Sequence, residues 1–155
     1  MARLGGSMQK NNGFTLIELI VTIAVMAIIA MMAAPSFGDM IVRQNLKKST
    51  NELIGVLNQT RAKAVLERRN IDVNLNLKET DTLPIDTATV VNWMPHGKTH
   101  LTSASETTIR YGLSGGVVGA TTDTSFILCS VAGGKSQIIS VSKMGTIQQV
   151  VEGTC

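Results

Sequence analysis

The sequence predicts an α+β fold in which one long N-terminal helix packs on an antiparallel β-sheet head. Two observations lead to this prediction. An apolar run from Phe14 to Phe37 continues, without a cluster of turn residues, into a segment of helical spacing that ends near Arg69. After Asn70 the apolar residues alternate with polar ones, which is typical of half-buried strands.

The apolar run is long enough to cross a bilayer, because its 24 residues span about 36 Å as a helix. No charged residue lies between Leu19 and Pro35. The single charge of the run is Glu18, and a carboxylate in hydrocarbon is strongly unfavourable unless it has a partner. No residue within the run can be that partner. A plain signal anchor whose Glu18 reaches the membrane interface is the alternative.

The start of the run reads Gly13-Phe14-Thr15-Leu16-Ile17-Glu18-Leu19. A secretory signal would place its small residue after the apolar core, whereas here Gly13 precedes it. The segment resembles the processing and assembly signature of type IV pilins and of the pseudopilins of type II secretion. This resemblance implies that a prepilin peptidase cuts between Gly13 and Phe14 and methylates the new amino group of Phe14. It also implies that Glu18 meets the amino terminus of a neighbouring subunit during assembly.

The resemblance implies three parts in the chain. They are a prepilin leader peptide over residues 1–13, a transmembrane and assembly helix over 14–38, and a periplasmic or extracellular head over 39–155, with an amphipathic helix over 39–69 and a β-rich part over 70–155. Without Arg3 and Lys10 of the leader, 12 basic and 11 acidic residues remain, so the net charge of +3 is mostly a leader property. The basic charge of the whole sequence is therefore no argument for nucleic acid as a partner, and such a partner is not expected.

Pro35 is expected to kink the helix, because it lacks an amide hydrogen and crowds the preceding turn. The alternative is that it marks the end of the membrane segment. Beyond it, apolar residues recur at steps of four and seven, which predicts one buried helix face. These residues are Val42, Leu46, Leu53, Leu57 and Ala64. The basic residues lie mostly off this stripe, either on a solvated face or against acidic neighbours in a filament; they are Arg43, Lys47, Lys48, Arg61, Lys63, Arg68 and Arg69.

Six segments of the head are predicted to be strands, separated by turns rich in glycine, serine and proline. They cover residues 71–77, 88–93, 107–113, 124–130, 137–142 and 146–151. Because no helix separates them, they are expected to form one or two antiparallel sheets.

The helix end over residues 61–70, which runs straight into the strand 71–75, resembles the GspH/FimT group of minor pilins and pseudopilins, as does the hairpin pattern over 139–147. Within the group, the C-terminal cysteine resembles FimU-like minor pilins. This implies a minor subunit that sits in the inner membrane as a single-pass protein with its head in the periplasm, and that then helps to start filament assembly at the pilus tip. The implied partners are other minor pilins, a tip adhesin-like subunit and the major pilin. A minor pseudopilin of a type II secretion system is the alternative.

Cys129 and Cys155 are the only cysteines, and in a head outside the cytoplasm such a pair predicts a disulfide. Free buried thiols are the alternative. Two cysteines do not make a structural zinc site by themselves. The two histidines, His96 and His100, lie in another segment and are predicted to be surface-loop residues. No metal and no cofactor is therefore expected.

Catalysis and DNA binding find little support in the sequence. No nucleophile lies in a recognisable elbow, and no glycine-rich phosphate loop opens a helix, so an enzyme is not expected.

FimT-like proteins that bind DNA carry a Gly-Arg-x-Arg arrangement in the last hairpin. The matching positions here read Gly145-Thr146-Ile147-Gln148, with only Lys143 nearby, so no DNA-binding residue is assigned. Trp93 is predicted to be a core residue.

Overall fold

The computed structural model describes residues 14–79, 82–131 and 133–155, except the side chains of residues 33–36. It divides into two compact units, Met1–Gly38 and Asp39–Cys155. The elements are helix α1 (Leu16–Glu67) and strands β1 (Ile71–Leu75), β2 (Val90–Trp93), β3 (His100–Leu101), β4 (Thr108–Tyr111), β5 (Thr124–Cys129), β6 (Lys135–Val141) and β7 (Val151–Thr154). This order of one long helix followed by strands confirms the predicted α+β fold.

Helix α1 ends in a left-handed turn at Arg68, whose φ is 50°. The amide of Arg69 donates to the carbonyl of Ala64 at 3.2 Å, the hydrogen bond that closes a Schellman motif. Glycine usually occupies the left-handed position of this motif, because it lacks a Cβ. With arginine there, the sequence pattern did not reveal the helix end, and the predicted helix was two residues too long.

The strands form two sheets. The first has the order β2-β1-β4 and the second the order β3-β5-β6-β7. All pairs are antiparallel except β1 and β2, which are parallel, with Val73 opposite Val91. A parallel pair needs a long crossover, and residues 76–89 provide it. The first sheet is therefore mixed, where the sequence led us to expect antiparallel pairing only.

The C-terminal strand lies later in the chain than predicted. Val141 bridges to Ile147 across the turn, but β7 begins only at Val151, which is opposite Ile138. These two registers differ by one residue, so the chain bulges between Ile147 and Val151. The prediction of a strand over 146–151 was therefore wrong for most of its length, because alternation alone does not reveal a bulge. The short strand β3 was not predicted.

The core of the Asp39–Cys155 unit lies between the second half of α1 and both sheets. The predicted stripe on α1 supplies Leu46, Leu53, Leu57 and Ala64, all of which are buried. The strands supply most of the remaining buried side chains, which include Ile71, Val73, Leu101, Ile109, Tyr111, Phe126, Leu128, Ile139 and Val141. Trp93 is 4% exposed and belongs to the same cluster, as predicted.

Candidate assembly segment

Helix α1 begins with a side-chain cap. The hydroxyl of Thr15 accepts a hydrogen bond from the amide of Glu18 at 3.3 Å, and the carbonyl of Thr15 accepts one from the amide of Leu19 at 3.2 Å. Thr-x-x-Glu is the spacing of a capping box. It places the carboxylate of Glu18 in the first helical turn, where the exposed amides attract negative charge. Our sequence reasoning did not include this local role of Glu18, although the threonine three residues earlier signals it.

The side chains of residues 14–32 are all exposed. Most are large and apolar; Phe14 is 84% exposed and Met31 77%. A helix that is apolar on every side requires a nonpolar environment, either lipid or other helices. No single helix among the described residues has both the length and the hydropathy of a membrane span. Two consecutive segments of α1, Leu16–Met32 and Phe37–Glu67, reach this length and hydropathy when they are taken together.

The carboxylate of Glu18 forms no ion pair with any other described residue. Gly13 lies outside the described residues, as does the side chain of Pro35. Cleavage after Gly13, methylation of Phe14, and the kink at Pro35 therefore stay predictions.

Comparisons with known proteins give matches to this segment and to the fold. A family model described as "Prokaryotic N-terminal methylation motif" matches residues 8–34, which include Gly13, Phe14 and Glu18. A solved structure of the type IV minor pilin FimU of Pseudomonas aeruginosa superposes with a TM-score of 0.50 over 68% of this chain and 88% of FimU, at 18% identity. The chain therefore carries this N-terminal motif and shares the fold of that minor pilin.

Two relatives, each described as "Fimbrial protein" from Pseudomonas aeruginosa, are 32% identical to this chain over 73 residues. The match covers 47% of this chain and 47% of each relative. The chain therefore spans about half the length of the curated relatives it matches. The FimU comparison shows the pilin fold, and the motif match shows the type of N-terminal segment.

The predicted disulfide is present in the head. It joins Cys129, at the end of β5, to Cys155, directly after β7, with a Cα–Cα distance of 5.8 Å. The amide of Cys155 also donates to the carbonyl of Gly134 at 2.9 Å. Because β6 lies between β5 and β7, the bond ties the C-terminus across the end of the second sheet.

Arg61 connects α1 to two turns of the head. Its Nε donates to the carbonyl of Gly115 at 2.9 Å, and its Nη2 donates to the carbonyl of Met144 at 3.2 Å. Gly145 has a φ of 78°, and a Cβ added to it would lie 2.0 Å from the Gly115 oxygen. The two turns therefore meet at Arg61 and leave no room for a side chain. The prediction of a solvated or filament-facing position is wrong for Arg61, because residue type and spacing do not reveal turns that are distant in sequence.

His96 also differs from the predicted surface-loop residue. It is half-buried, and its Nε2 contacts the carboxylate of Glu52 on α1. Its amide donates to the buried hydroxyl of Ser49 at 2.9 Å, and the next amide, that of Gly97, donates to Glu79 at 2.8 Å. The contacts with Glu52 and Ser49 fix the loop before β3 against α1, and the contact with Glu79 ties it to the segment after β1. No group of three or more possible metal ligands occurs in the described part of the chain.

A cross-strand ion pair stabilises the outer face of the first sheet. Asp72 on β1 lies opposite Arg110 on β4, and both carboxylate oxygens accept hydrogen bonds from the guanidinium, at 2.6 and 2.8 Å. The hydrogen bonds and charge of Arg110 lower the pKa of Asp72, although partial burial acts in the opposite direction. In the adjacent core, burial raises the pKa of Tyr111 to about 12, because a phenolate would lose its hydration there.

Proposed function

We propose that the chain is a minor pilin of a type IV pilus that helps to start filament assembly and stays at or near the pilus tip. The observation that carries this proposal is the methylation-motif match over residues 8–34, which contains Glu18 at the head of an exposed apolar helix. The pilin fold of the head supports it. In this role the protein is a building block and not an enzyme.

The assembly segment suggests how a subunit enters the filament. Before assembly, residues 14–38 anchor the protein in the inner membrane by a single pass, with the head, residues 39–155, in the periplasm. Removal of residues 1–13 by the prepilin peptidase leaves a positive amino group on Phe14. The amino group of one subunit then pairs with Glu18 of a neighbour. A buried ion pair adds little net stability, but loss of one member is strongly unfavourable, so the pair would fix the register of docking.

The partners that we propose are other minor pilins, a tip adhesin-like subunit and the major pilin. The matched structure is that of FimU, a type IV minor pilin, which supports a minor over a bulk structural role. Deletion of the gene should reduce surface piliation and twitching motility and leave exoprotein secretion intact. Loss of secretion with normal piliation would instead identify a minor pseudopilin of a type II secretion system.

The charge of Glu18 can be tested separately from its position in the helix cap. Glutamine also serves at this position of a capping box, so Glu18→Gln removes the charge and leaves the helix start intact. We expect a normal amount of the variant in the membrane and a clear loss from sheared filaments, measured by immunoblot of both fractions. Glu152→Gln, on the exposed strand β7, is the matched control and should assemble normally. Equal incorporation of both variants would contradict the docking role.

Processing is tested by mass spectrometry of the protein from its native cell. We expect a chain that begins with N-methylated Phe14. Recovery of a chain in which Gly13 is still joined to Phe14 would refute the proposed route into the filament.

A further inference from the structure

The two sheets of the head are separated by a groove of about 630 Å³. It is lined by β4, by the first residues of β5 and by the connection over residues 117–123. We call this the intersheet groove. All of its residues belong to the Asp39–Cys155 unit, and none belongs to the assembly segment.

One wall of the intersheet groove exposes the backbone of Thr108. On the opposite side of β4, the carbonyl of Thr107 accepts a hydrogen bond from the amide of Leu75 on β1, at 2.8 Å. Successive residues of a strand direct their backbone amide and carbonyl groups to opposite sides. The backbone groups of Thr108 and Arg110 therefore point away from β1. The Arg110 carbonyl is covered, since the amide of Val118 donates to it at 2.9 Å. Among the described residues, no backbone hydrogen bond covers Thr108 in the same way.

The other wall exposes the backbone of Ser125. Two residues further along β5, the amide of Ile127 donates to the hydroxyl of Ser105, and its carbonyl accepts from the amide of Thr102, both at 2.9 Å. The backbone amide and carbonyl of Ser125 point to the same side as those of Ile127, away from β6. Strand β3 pairs only with the last two residues of β5 and does not reach Ser125. The described chain provides no backbone partner for Ser125 on this side.

The charges at the intersheet groove are unbalanced. Glu106 and Asp123 are both exposed carboxylates that line it. The positive charge of Arg110 is offset by its ion pair with Asp72. Asp123 accepts a hydrogen bond from the neutral side chain of Gln148 at 2.8 Å, so its charge is not compensated. The groove therefore carries net negative charge and favours a cationic occupant.

We propose that the intersheet groove binds an extended segment of a partner protein, rich in lysine or arginine, as an added β-strand. The amide and carbonyl groups of Thr108 and Ser125 supply hydrogen bonds that any extended backbone can satisfy. Glu106 and Asp123 select segments with positive side chains. This goes beyond the proposed pilus role and does not depend on it, because the groove lies on the head and acts through other residues.

The probe for this proposal is a fluorescently labelled hexapeptide, acetyl-Thr-Lys-Val-Thr-Lys-Val-amide, titrated into the full-length protein in detergent micelles. The control peptide has the same sequence with alternate backbone amides N-methylated, which keeps the charges but prevents strand pairing. Fluorescence anisotropy should show saturable binding of the probe and at least about tenfold weaker binding of the control, a difference of about 1.4 kcal/mol. Equal binding of both peptides, or binding of neither, would overturn the proposal.

Two further measurements locate the site. Glu106→Lys should weaken binding about two- to fivefold, the range expected for exposed charges, whereas Glu152→Lys, outside the groove, should leave it unchanged. Hydrogen exchange of the unsubstituted protein should show that the probe protects the amides of Thr108 and Ser125. Protection confined to other parts of the chain would place the peptide elsewhere and refute the assignment. This readout needs no substitution and so does not depend on the folding of a variant.

Discussion

The contact between Arg61 and the two glycine turns can be tested with a single methyl group. Gly145 and Gly119 have nearly the same positive φ, 78° and 79°. A Cβ on Gly119 would meet nothing within 4 Å, whereas one on Gly145 would lie 2.0 Å from the Gly115 oxygen and 3.0 Å from Nε of Arg61. Substitution of each glycine by alanine therefore introduces the same backbone strain but creates a clash only at Gly145.

The expected magnitudes follow from these distances. Alanine in the left-handed region is unfavourable by about 1–2 kcal/mol. The reduced freedom of the unfolded chain offsets about 0.4–1 kcal/mol of this strain. Gly119→Ala should therefore lower the free energy of unfolding by about 1 kcal/mol. Gly145→Ala should also break a hydrogen bond between Arg61 and a turn carbonyl, which contributes about 1.5–3 kcal/mol. The total loss for Gly145→Ala is about 2.5–4 kcal/mol.

The assay is urea unfolding of the full-length protein in detergent micelles, followed by the fluorescence of Trp93, the single tryptophan of the chain. In an Arg61→Met background, the hydrogen bonds are already absent, so Gly145→Ala should lose the part of its extra effect that comes from them, while the clash with the Gly115 oxygen remains. Equal destabilisation by Gly119→Ala and Gly145→Ala, with Arg61 present, would refute the argument.

Three other predictions concern the head. Replacement of Cys129 and Cys155 by alanine should lower the free energy of unfolding by about 3.5 kcal/mol, because the disulfide closes a long loop of the unfolded chain; urea unfolding measures this. Leu57→Ala should lower it by about 2–5 kcal/mol in the same assay, since Leu57 is completely buried. The pair Asp72–Arg110 should stabilise the fold at pH values above the ordinary pKa of aspartate, about 3.9. This stabilisation should be lost as the pH falls through the lowered pKa of Asp72. Asp72→Asn should remove this part of the acid dependence, measured as unfolding midpoint against pH.

Each of these predictions has a contrary outcome. An unchanged free energy of unfolding in urea after replacement of both cysteines would show that the disulfide does not restrain the unfolded chain. A loss of less than 1 kcal/mol for Leu57→Ala would place this side chain outside the packed core. If Asp72→Asn keeps the acid dependence of the unsubstituted protein, another carboxylate is responsible for it.

The sequence revealed features that depend on neighbouring residues. The period of the apolar residues predicted the buried face of α1, since Leu46, Leu53, Leu57 and Ala64 are all buried. The segment around Gly13 and Glu18 indicated its resemblance to pilins, because a carboxylate at the head of an uncharged apolar run is rare and specific. The disulfide between the two cysteines was predictable because the chain has no others.

The tertiary structure decided the contacts between segments that are distant in sequence. Nothing local to Arg61 reveals that the turns at Gly115 and Gly145 meet around it, and nothing local to His96 reveals Glu52. The parallel pairing of β1 with β2 depends on how the crossover folds, and the intersheet groove depends on which strand edges remain uncovered. Periodicity records whether a side chain faces a core, because that property repeats along one segment. The choice of partner is made only when segments pack together, so it required the folded structure.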